Sequence, residues 1–381
     1  MLVEFHTLTS HSPANLNRDD LGRPKSAIFG GTQRARISSQ AIKRSIRTSN
    51  YLEELMRDRL STRSRRIPQM IHDALKAEFN GDASTNERLE TLCKGLTEVL
   101  GKPDKNPLHT KQIVFLTREE IERGKSWIRG LMASGSELSK KEKRAEEIGL
   151  SRNPGDGIDM ALFGRMTTDD ANAFTNVDAS MQVAHAISTH TVVPEVDWFT
   201  AVDDIVTGES ETGSGHLGEV EFNSAVFYKY FSCNLPLFVK NLNGAQDEAL
   251  DALATVLDAS CRVTPTGKQN SFASHSLADT ALLVIRQQRI PVSLANAFER
   301  PVGRDSREEG KGYLDESRAR LATHYADLVG SYNLDDTAIL FTTSSEVRQR
   351  LSEALPEGTH VVSSLHDMFE AMKTHVRRIM S

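Results

Sequence analysis

Between residues 18 and 66 the chain carries thirteen Lys or Arg against five Asp or Glu, a local charge of +8 in a protein whose formal net charge is −6, leaving −14 (−6 less +8) for the remainder. Cations gathered in this way suit a protein that holds a polyanion along one groove and stays soluble elsewhere, and nucleic acid is the first such polyanion to consider. Inside the block, RARISSQAIKRSIR has good N-caps in Ser38 and Ser39. The residues after them separate at about 100° per residue. Gln40, Lys43, Arg44 and Arg47 fall on one side, Ile42 and Ile46 on the other. The apolar stripe can dock on a core, while the polar stripe and the uncapped N–H groups of the first turn suit a phosphate. Gly30 and Gly31, followed by Arg34 and Arg36, suggest a loop that hugs a backbone. The competing reading is a surface helix with a solvated basic face.

Other spacings mimic catalytic motifs and fail on context. Gly213, Gly215 and Gly218 spell GxGxxG, but no buried strand precedes them and a strand-like EVEFNSAVF follows, where a dinucleotide site needs a helix. Glu209, Glu211, Glu219 and Glu221 would repel a pyrophosphate, so a hairpin tip is the better reading. Gly124, Lys125 and Ser126 end like a P-loop, yet Glu119 occupies the first glycine position in a charged, helical context. His185 and His190, and likewise His6 and His11, lie five apart, which is not helical metal-ligand spacing. A single histidine near RNA could still serve as general acid or base. The pairs Asp19 and Asp20, Asp169 and Asp170, and Asp203 and Asp204 place neighbouring side chains apart on any regular element, so two-metal chemistry is not indicated. No catalytic residue, metal or cofactor is expected.

The elements that must position the basic block read as β, α, β, β, α, β. Residues 2–9 suggest a strand, 39–60 the basic helix, and 157–166 (GIDMALFGRM) a second strand. Residues 224–235 (SAVFYKYFSCNL) give the strongest strand signal, 245–260 an amphipathic helix through Leu250, Leu253, Ala254 and Leu257, and 281–290 a closing strand. That order is the split βαβ, ferredoxin-like or RRM-like unit, an α+β fold used as an RNA platform. Residues 61–150 are charged with Leu and Ile at helical intervals, which suggests a helical insertion. A second insertion lies between the second and third strands. The tail adds helices near 314–329 and 365–380. The three cysteines, Cys93, Cys233 and Cys261, lack CxxC spacing and an even count, so free and mostly buried thiols are expected. No membrane span or signal peptide is evident, and a cytoplasmic location is expected.

The runs SHSPANLNRDD, KSAIFGG, RARISSQAIKRSIR, GIDMALFGRM, AHAISTH, VDWFTAVDD, GHLG, FYKY and PVSLANAFE, in that order, resemble the CasC family. These are the repeated backbone subunits of Cascade, the type I-E CRISPR effector complex. The likeness runs from about residue 5 to about residue 302 and is weak over 52–156 and beyond 301. It implies an RRM-like palm with a helical fingers insertion and a thumb hairpin insertion. The segments are then 1–60 (palm: first strand, basic loop and helix), 61–156 (fingers), 157–190 (palm, second strand region), 191–222 (thumb), 223–302 (palm: third strand, second helix, last strand) and 303–381 (C-terminal helices on the palm).

The resemblance further implies a non-enzymatic subunit that polymerises head-to-tail with other copies of itself along a CRISPR guide RNA. Its partners would be the other Cascade subunits, target DNA reached through the guide, and a recruited nuclease-helicase. Mapped onto this chain, the RNA-binding candidates are Arg18, Lys25, Ser38, Gln40, Lys43, Arg44, Arg47 and Lys268. Arg165 and Met166 would brace the place where the thumb displaces a base, and Phe199, Thr200 and Leu217 would form the wedge. Trp198 is expected to be rooted in the core. No RNP1 pattern occurs and aromatic residues make up 6% of the chain, so phosphate tracking is expected in place of base stacking on the sheet. Two other functions remain open at this point: a guide-processing endonuclease of ferredoxin-like fold and a general single-strand protector.

Overall fold

The computed structural model describes residues 1–150, 155–166, 176–201, 216–303 and 312–380. They divide into two compact units, one made of Met1–Leu52, Val183–Asn234 and Leu253–Ser381, the other of Glu53–Gln182 and Leu235–Ala252.

The first unit is a mixed α/β structure around one large sheet. Strand Leu2–Ala14 lies between Thr280–Arg286 and His216–Asn234, antiparallel to both, and short Ala186–Ser188 pairs with the far side of His216–Asn234. In chain order these are the fourth, first, third and second strands of the ferredoxin-like unit, side by side as 4-1-3-2. The second strand is therefore Ala186–Ser188, and the strand expected at 157–166 is instead helix Ile158–Phe163. GIDMALFGRM is an apolar run between glycines whose period does not separate strand from buried helix, and Ile158 through Leu162 are all buried. Gly164, at φ +80°, ends that helix.

Leu2 through Thr9 and all of Thr280–Arg286 are buried, because both faces of the central strands are covered. On one face Leu8, Tyr228, Tyr230, Leu282 and Val284 pack with Leu321, Ala322 and Tyr325 of helix Tyr313–Tyr332. On the other, Phe5 meets Phe231 and Phe369 at ring-centroid distances of 6.4 and 6.1 Å. Phe369 belongs to helix Leu365–Met380. The tail thus carries the two expected helices, and it also extends the sheet: Asp336–Thr342 pairs antiparallel with Thr280–Arg286, and His360–Val362 adds a parallel edge.

The face under helix Tyr313–Tyr332 holds a buried ionic network. The Arg286 guanidinium lies 2.9 Å from Glu4 Oε2 as an ion pair, and it donates to the Ile290 carbonyl at 2.8 Å and to Asp336 through Nε and a second nitrogen at 2.7 and 2.8 Å. Tyr230 donates its hydroxyl to Glu4 and Tyr325 to Asp336. Burial raises the Glu4 carboxyl above its usual range, opposed by Tyr230 and Arg286.

The basic helix is shorter than the expected 39–60 and spans Ser39–Arg47. The hydroxyls of Thr48 and Ser49 turn back onto the carbonyls of Arg44 and Ile46, and Ser49 Oγ then accepts the Leu52 N–H inside the next helix, Asn50–Met56. Hydroxyl side chains that compete for backbone groups end the first helix there.

The second unit is helical. Ile67–Phe79, Ala83–Leu100, Arg118–Ser134 and Lys141–Ile148 share a core that includes Leu75, Leu92, Leu96, Ile121 and Ile128. Asp82 caps the second of these helices, and Thr117 with Glu120 forms a reciprocal capping box on the third. Thr62–Ser64 pairs antiparallel with Val114–Leu116 at one end. The three cysteines are free and buried. Among the described residues no helix is long and apolar enough to cross a membrane.

Candidate nucleic-acid interface

The basic helix docks through Ile42 and Ile46, both buried, over His11, Phe227 and Lys229 of the sheet. That seating leaves Gln40 and Arg44 exposed and Lys43 and Arg47 half-exposed along the outer side. Partial burial lowers the Lys43 ammonium pKa. Ser38 is the N-cap: its backbone is extended and its Oγ accepts the Ala41 N–H at 3.3 Å. It is 6% exposed, so its hydroxyl serves the helix and does not stand out toward solvent. The first turn contains no acidic residue, so the positive end of the helix dipole is not offset there.

Asn17 ties the preceding loop to this helix. Its Oδ1 accepts the Ser38 N–H at 2.9 Å, and its carbonyl accepts the Lys25 N–H at 2.8 Å. Asp19 Oδ1 accepts from Leu21 and Arg23, folding residues 19–23 into an Asx-type turn with Arg18 exposed beside it. Asp19 is therefore a turn residue, not a metal ligand. Lys268 arrives from another loop, whose neighbour Gly267 lies so close to Asn15 and Leu16 that an added Cβ would stand 2.4 Å from the Leu16 carbonyl oxygen. Arg18, Lys25, Gln40, Lys43, Arg44, Arg47 and Lys268 thus sit on segments bonded or packed together.

Arg34 and Arg36 have different fates. Arg34 is fully buried and spends its N–H groups on Thr32 Oγ1 and on the carbonyls of Ser188, Thr189, Phe298 and Glu299, at 2.8–3.1 Å. Gly30, at φ +57°, lies so near Glu299 that a Cβ would fall 1.7 Å from its carbonyl oxygen. Both residues pin the hairpin Ser26–Phe29/Thr32–Ile37 to the chain near 299 and do not hug a ligand. Arg36 points to the basic side, where its guanidinium lies 3.0 Å from His185 Nδ1. Burial, then the charges of Arg36 and Lys25, lower the His185 pKa. Arg36, read from the sequence as part of a backbone-hugging loop, and His185, weighed there only for metal spacing, join the charged surface, though neither is among the RNA-binding candidates named from the sequence.

The remaining candidates separate. Arg165 is buried in the second unit, where its guanidinium contacts both Glu120 carboxylate oxygens at 2.7 and 2.9 Å and the Phe115 carbonyl. The expectation that it braces a base-displacing thumb is corrected: it is the partner of a buried carboxylate. Met166 is 82% exposed. In the first unit, Glu195–Ala201 pairs antiparallel with the start of His216–Asn234, Thr200 opposite Leu217 and Phe199 opposite Gly218. The Phe199 ring covers that glycine, since a Cβ there would lie 2.3 Å from Cζ. Thr200 is exposed, and Trp198 is 61% exposed, which corrects the expectation that it roots the hairpin in the core. The side chain of Leu217 is outside the described residues, as are Glu209, Glu211, Gly213, Gly215 and the pairs Asp169/Asp170 and Asp203/Asp204.

Three of the histidines weighed from the sequence, His6, His11 and His190, are buried. His6 and His11 are buried with pKa values pushed down to about 3 by desolvation and by Arg286 and Lys229 respectively. His190 stacks on Tyr313 at 3.9 Å. Gly124, Lys125 and Ser126 lie inside helix Arg118–Ser134 and form no phosphate loop. Among the described residues no group of three or more His, Cys, Asp or Glu could hold a metal ion. Tyr228 and Tyr230 are buried beside His6, with ring centroids 6.1 and 5.0 Å from it, so these rings offer bases nothing to stack on.

Compared with known proteins, residues 3–370 match the family described as CT1975-like protein. No curated protein matches the chain. A chain of a solved structure described as a CRISPR RNA-guided surveillance complex, pre-nicking, is 28% identical with a TM-score of 0.82, covering 98% of this chain and 100% of that one. A second, from a CRISPR RNA-guided surveillance complex, is 25% identical with a TM-score of 0.62, covering 99% and 100%.

Proposed function

From the premise that the chain belongs to the family of CT1975-like proteins, we propose that it is a CasC-like backbone subunit of a type I-E CRISPR surveillance complex and holds the guide RNA by its phosphates. The observation that carries this reading is the basic helix. Its apolar side is sunk in the core, its first turn lacks acids, and Gln40, Lys43, Arg44 and Arg47 line its outer side next to the loops of Arg18, Lys25 and Lys268. The sheet is closed on both faces, so a strand of RNA held here is gripped by its backbone and leaves its bases free to pair. Such a grip is indifferent to sequence, which suits a guide whose sequence must vary.

Phe199, Thr200 and Leu217 on the hairpin would unstack a base step of RNA held by a neighbouring copy, at a cost of a few kcal/mol per step. A hairpin that reaches into the next copy makes a head-to-tail contact, and such contacts build a helical filament when they do not close. The subunit turns over no substrate. It acts through the other subunits, through target DNA paired to the guide, and through a recruited nuclease-helicase.

Co-expression with partner subunits and a CRISPR array tests the reading. The purified complex should yield one discrete RNA of repeat-spacer length, lost when Lys43→Glu and Arg47→Glu are combined. An intact, stable complex that contains no RNA would sink it.

A further inference from the structure

The sheet face opposite helix Tyr313–Tyr332 carries a stripe of polar side chains that no nucleic acid can reach. Thr7, Thr9 and His11 alternate along strand Leu2–Ala14 and so share one face of it, and Lys229 lies directly opposite Thr7 on the neighbouring strand. All four are buried, His11 at 4% and Lys229 at 8% exposure. Thr7 Oγ1, Thr9 Oγ1 and His11 Nδ1 have no hydrogen-bond partner among the described residues. Lys229 Nζ donates to the Ser260 carbonyl at 2.9 Å, and among the described residues no carboxylate lies within 4.0 Å of it.

The ionisable groups around Lys229 do not supply the missing charge. Asp279, whose field reaches it, is held by the Ser10 N–H at 2.8 Å. Burial pushes the Cys261 thiol up to about 12, so it is neutral at physiological pH. His11 is itself kept neutral by burial and by the Lys229 charge. An ammonium taken out of water is costly unless a counter-charge meets it, and the contrast with Arg286, which has two carboxylates, is sharp. Between the stripe and the basic helix lies a cavity of about 20 Å³, lined by His11, Lys229 and Ser260 and, from the helix, by Ile42, Ser45 and Ile46. One water-sized occupant fits there. The Ser45 and Ser260 hydroxyls donate to the Ala41 and Leu257 carbonyls, which leaves Lys229 and His11 as the groups to hold an occupant. A water would meet their hydrogen bonds and leave the ammonium unbalanced, whereas a halide ion accepts from both and balances it.

We propose that this cavity binds one chloride ion, held by the Lys229 ammonium and the His11 ring N–H beneath the basic helix. Such a site does not depend on what the outer side of that helix holds. The test uses the full chain without RNA, in sodium chloride and in sodium gluconate at equal ionic strength, gluconate being too large to enter. Chloride should raise the thermal midpoint by about 2 °C or more relative to gluconate, since an ion that binds only the folded chain stabilises it by mass action. Lys229→Met should remove that difference. Arg44→Gln with Arg47→Gln should keep it, which separates the cavity from chloride gathered on the surface. Crystals of the parent chain grown in bromide should show an anomalous peak between Lys229 Nζ and His11, a readout that stands even if Lys229→Met fails to fold.

A cavity with no bromide peak overturns the proposal and makes its occupant a water. So does a parent midpoint that is the same in the two salts, a chloride shift of unchanged size in a folded Lys229→Met chain, or a shift that disappears in Arg44→Gln with Arg47→Gln. None of these outcomes bears on whether the outer side of the helix holds RNA, so either reading can fail while the other stands.

Discussion

The central sheet and the basic helix beside it both carry arginines, and they use them in opposite ways. On the sheet, Arg286 is 1% exposed and bonded to two carboxylates, and Arg34 is enclosed by four carbonyls. On the helix, Arg44 is exposed and the first turn contains no acid. A guanidinium taken out of water must have its donors met, and once they are met it is structural. One left on a docked helix keeps its field for an outside anion. The difference teaches that the same side chain is structural where the fold closes carbonyls and carboxylates around it and stays open to solvent where the helix docks by its apolar side.

The largest effect should come from removing a paired arginine. Arg286→Ala strands Glu4 and Asp336 in the core and should cost about 3–5 kcal/mol, read by urea unfolding. A loss under about 1 kcal/mol would mean that the network is hydrated and that the two regions differ less than the geometry implies.

Acid should act on the sheet next. The His6 and His11 pKa values are depressed to about 3 in the folded chain, so the unfolded chain takes up their protons first as pH falls through about 6.5. Their contribution is complete above pH 6.5 and is lost progressively down to pH 3, by at most about 1.4 kcal/mol per pH unit for each residue. Thermal melts between pH 7 and 4.5 should show stability falling, less steeply in His6→Asn than in the parent. Equal slopes would show that His6 does not titrate as a buried group.

The sequence made the central part of this arrangement readable and left its edges obscure. The βαββαβ order is legible because 224–235 and 281–290 combine β-branched or aromatic residues with length, and because Leu250, Leu253, Ala254 and Leu257 hold helical period. Ala186–Ser188 is invisible, since three residues carry no period, and GIDMALFGRM reads equally as strand or buried helix. The basic helix and its outer residues follow from local spacing. The fates of Arg34 and Arg165 do not, because the groups that saturate them lie at Ser188, Phe298 and Glu120, far off in the chain. The tail strands Asp336–Thr342 and His360–Val362 are added at a sheet edge by partners that only the tertiary fold supplies.

A smaller effect separates binding from folding on the helix. Replacing Lys43, Arg44 and Arg47 together by Gln should lower affinity for single-stranded RNA by about 10- to 100-fold near physiological salt and reduce the salt slope by about 2. Stability should change by less than about 1 kcal/mol, since surface substitutions usually stay within ±0.5 kcal/mol each. A large stability loss with an unchanged salt slope would place these residues in the same class as Arg286.

The smallest expected effect lies on the hairpin, where Trp198 is the sharpest test of whether an aromatic residue is anchored. A buried Trp replaced by Ala costs about 3–5 kcal/mol because a cavity is added to the lost transfer energy. Trp198 is 61% exposed and lies opposite Glu219 on the paired strand, so little apolar area leaves water on folding and no cavity opens when the ring is removed. Trp198→Ala should therefore shift the unfolding midpoint by less than about 1 kcal/mol equivalent. Phe199→Ala should cost slightly more, because its ring covers Gly218. A Trp198→Ala variant that unfolds like a core mutant would mean that the hairpin folds the face shared by Trp198 and Thr200 against the protein in solution, and a wedge would then have no free side at Thr200 from which to reach a base.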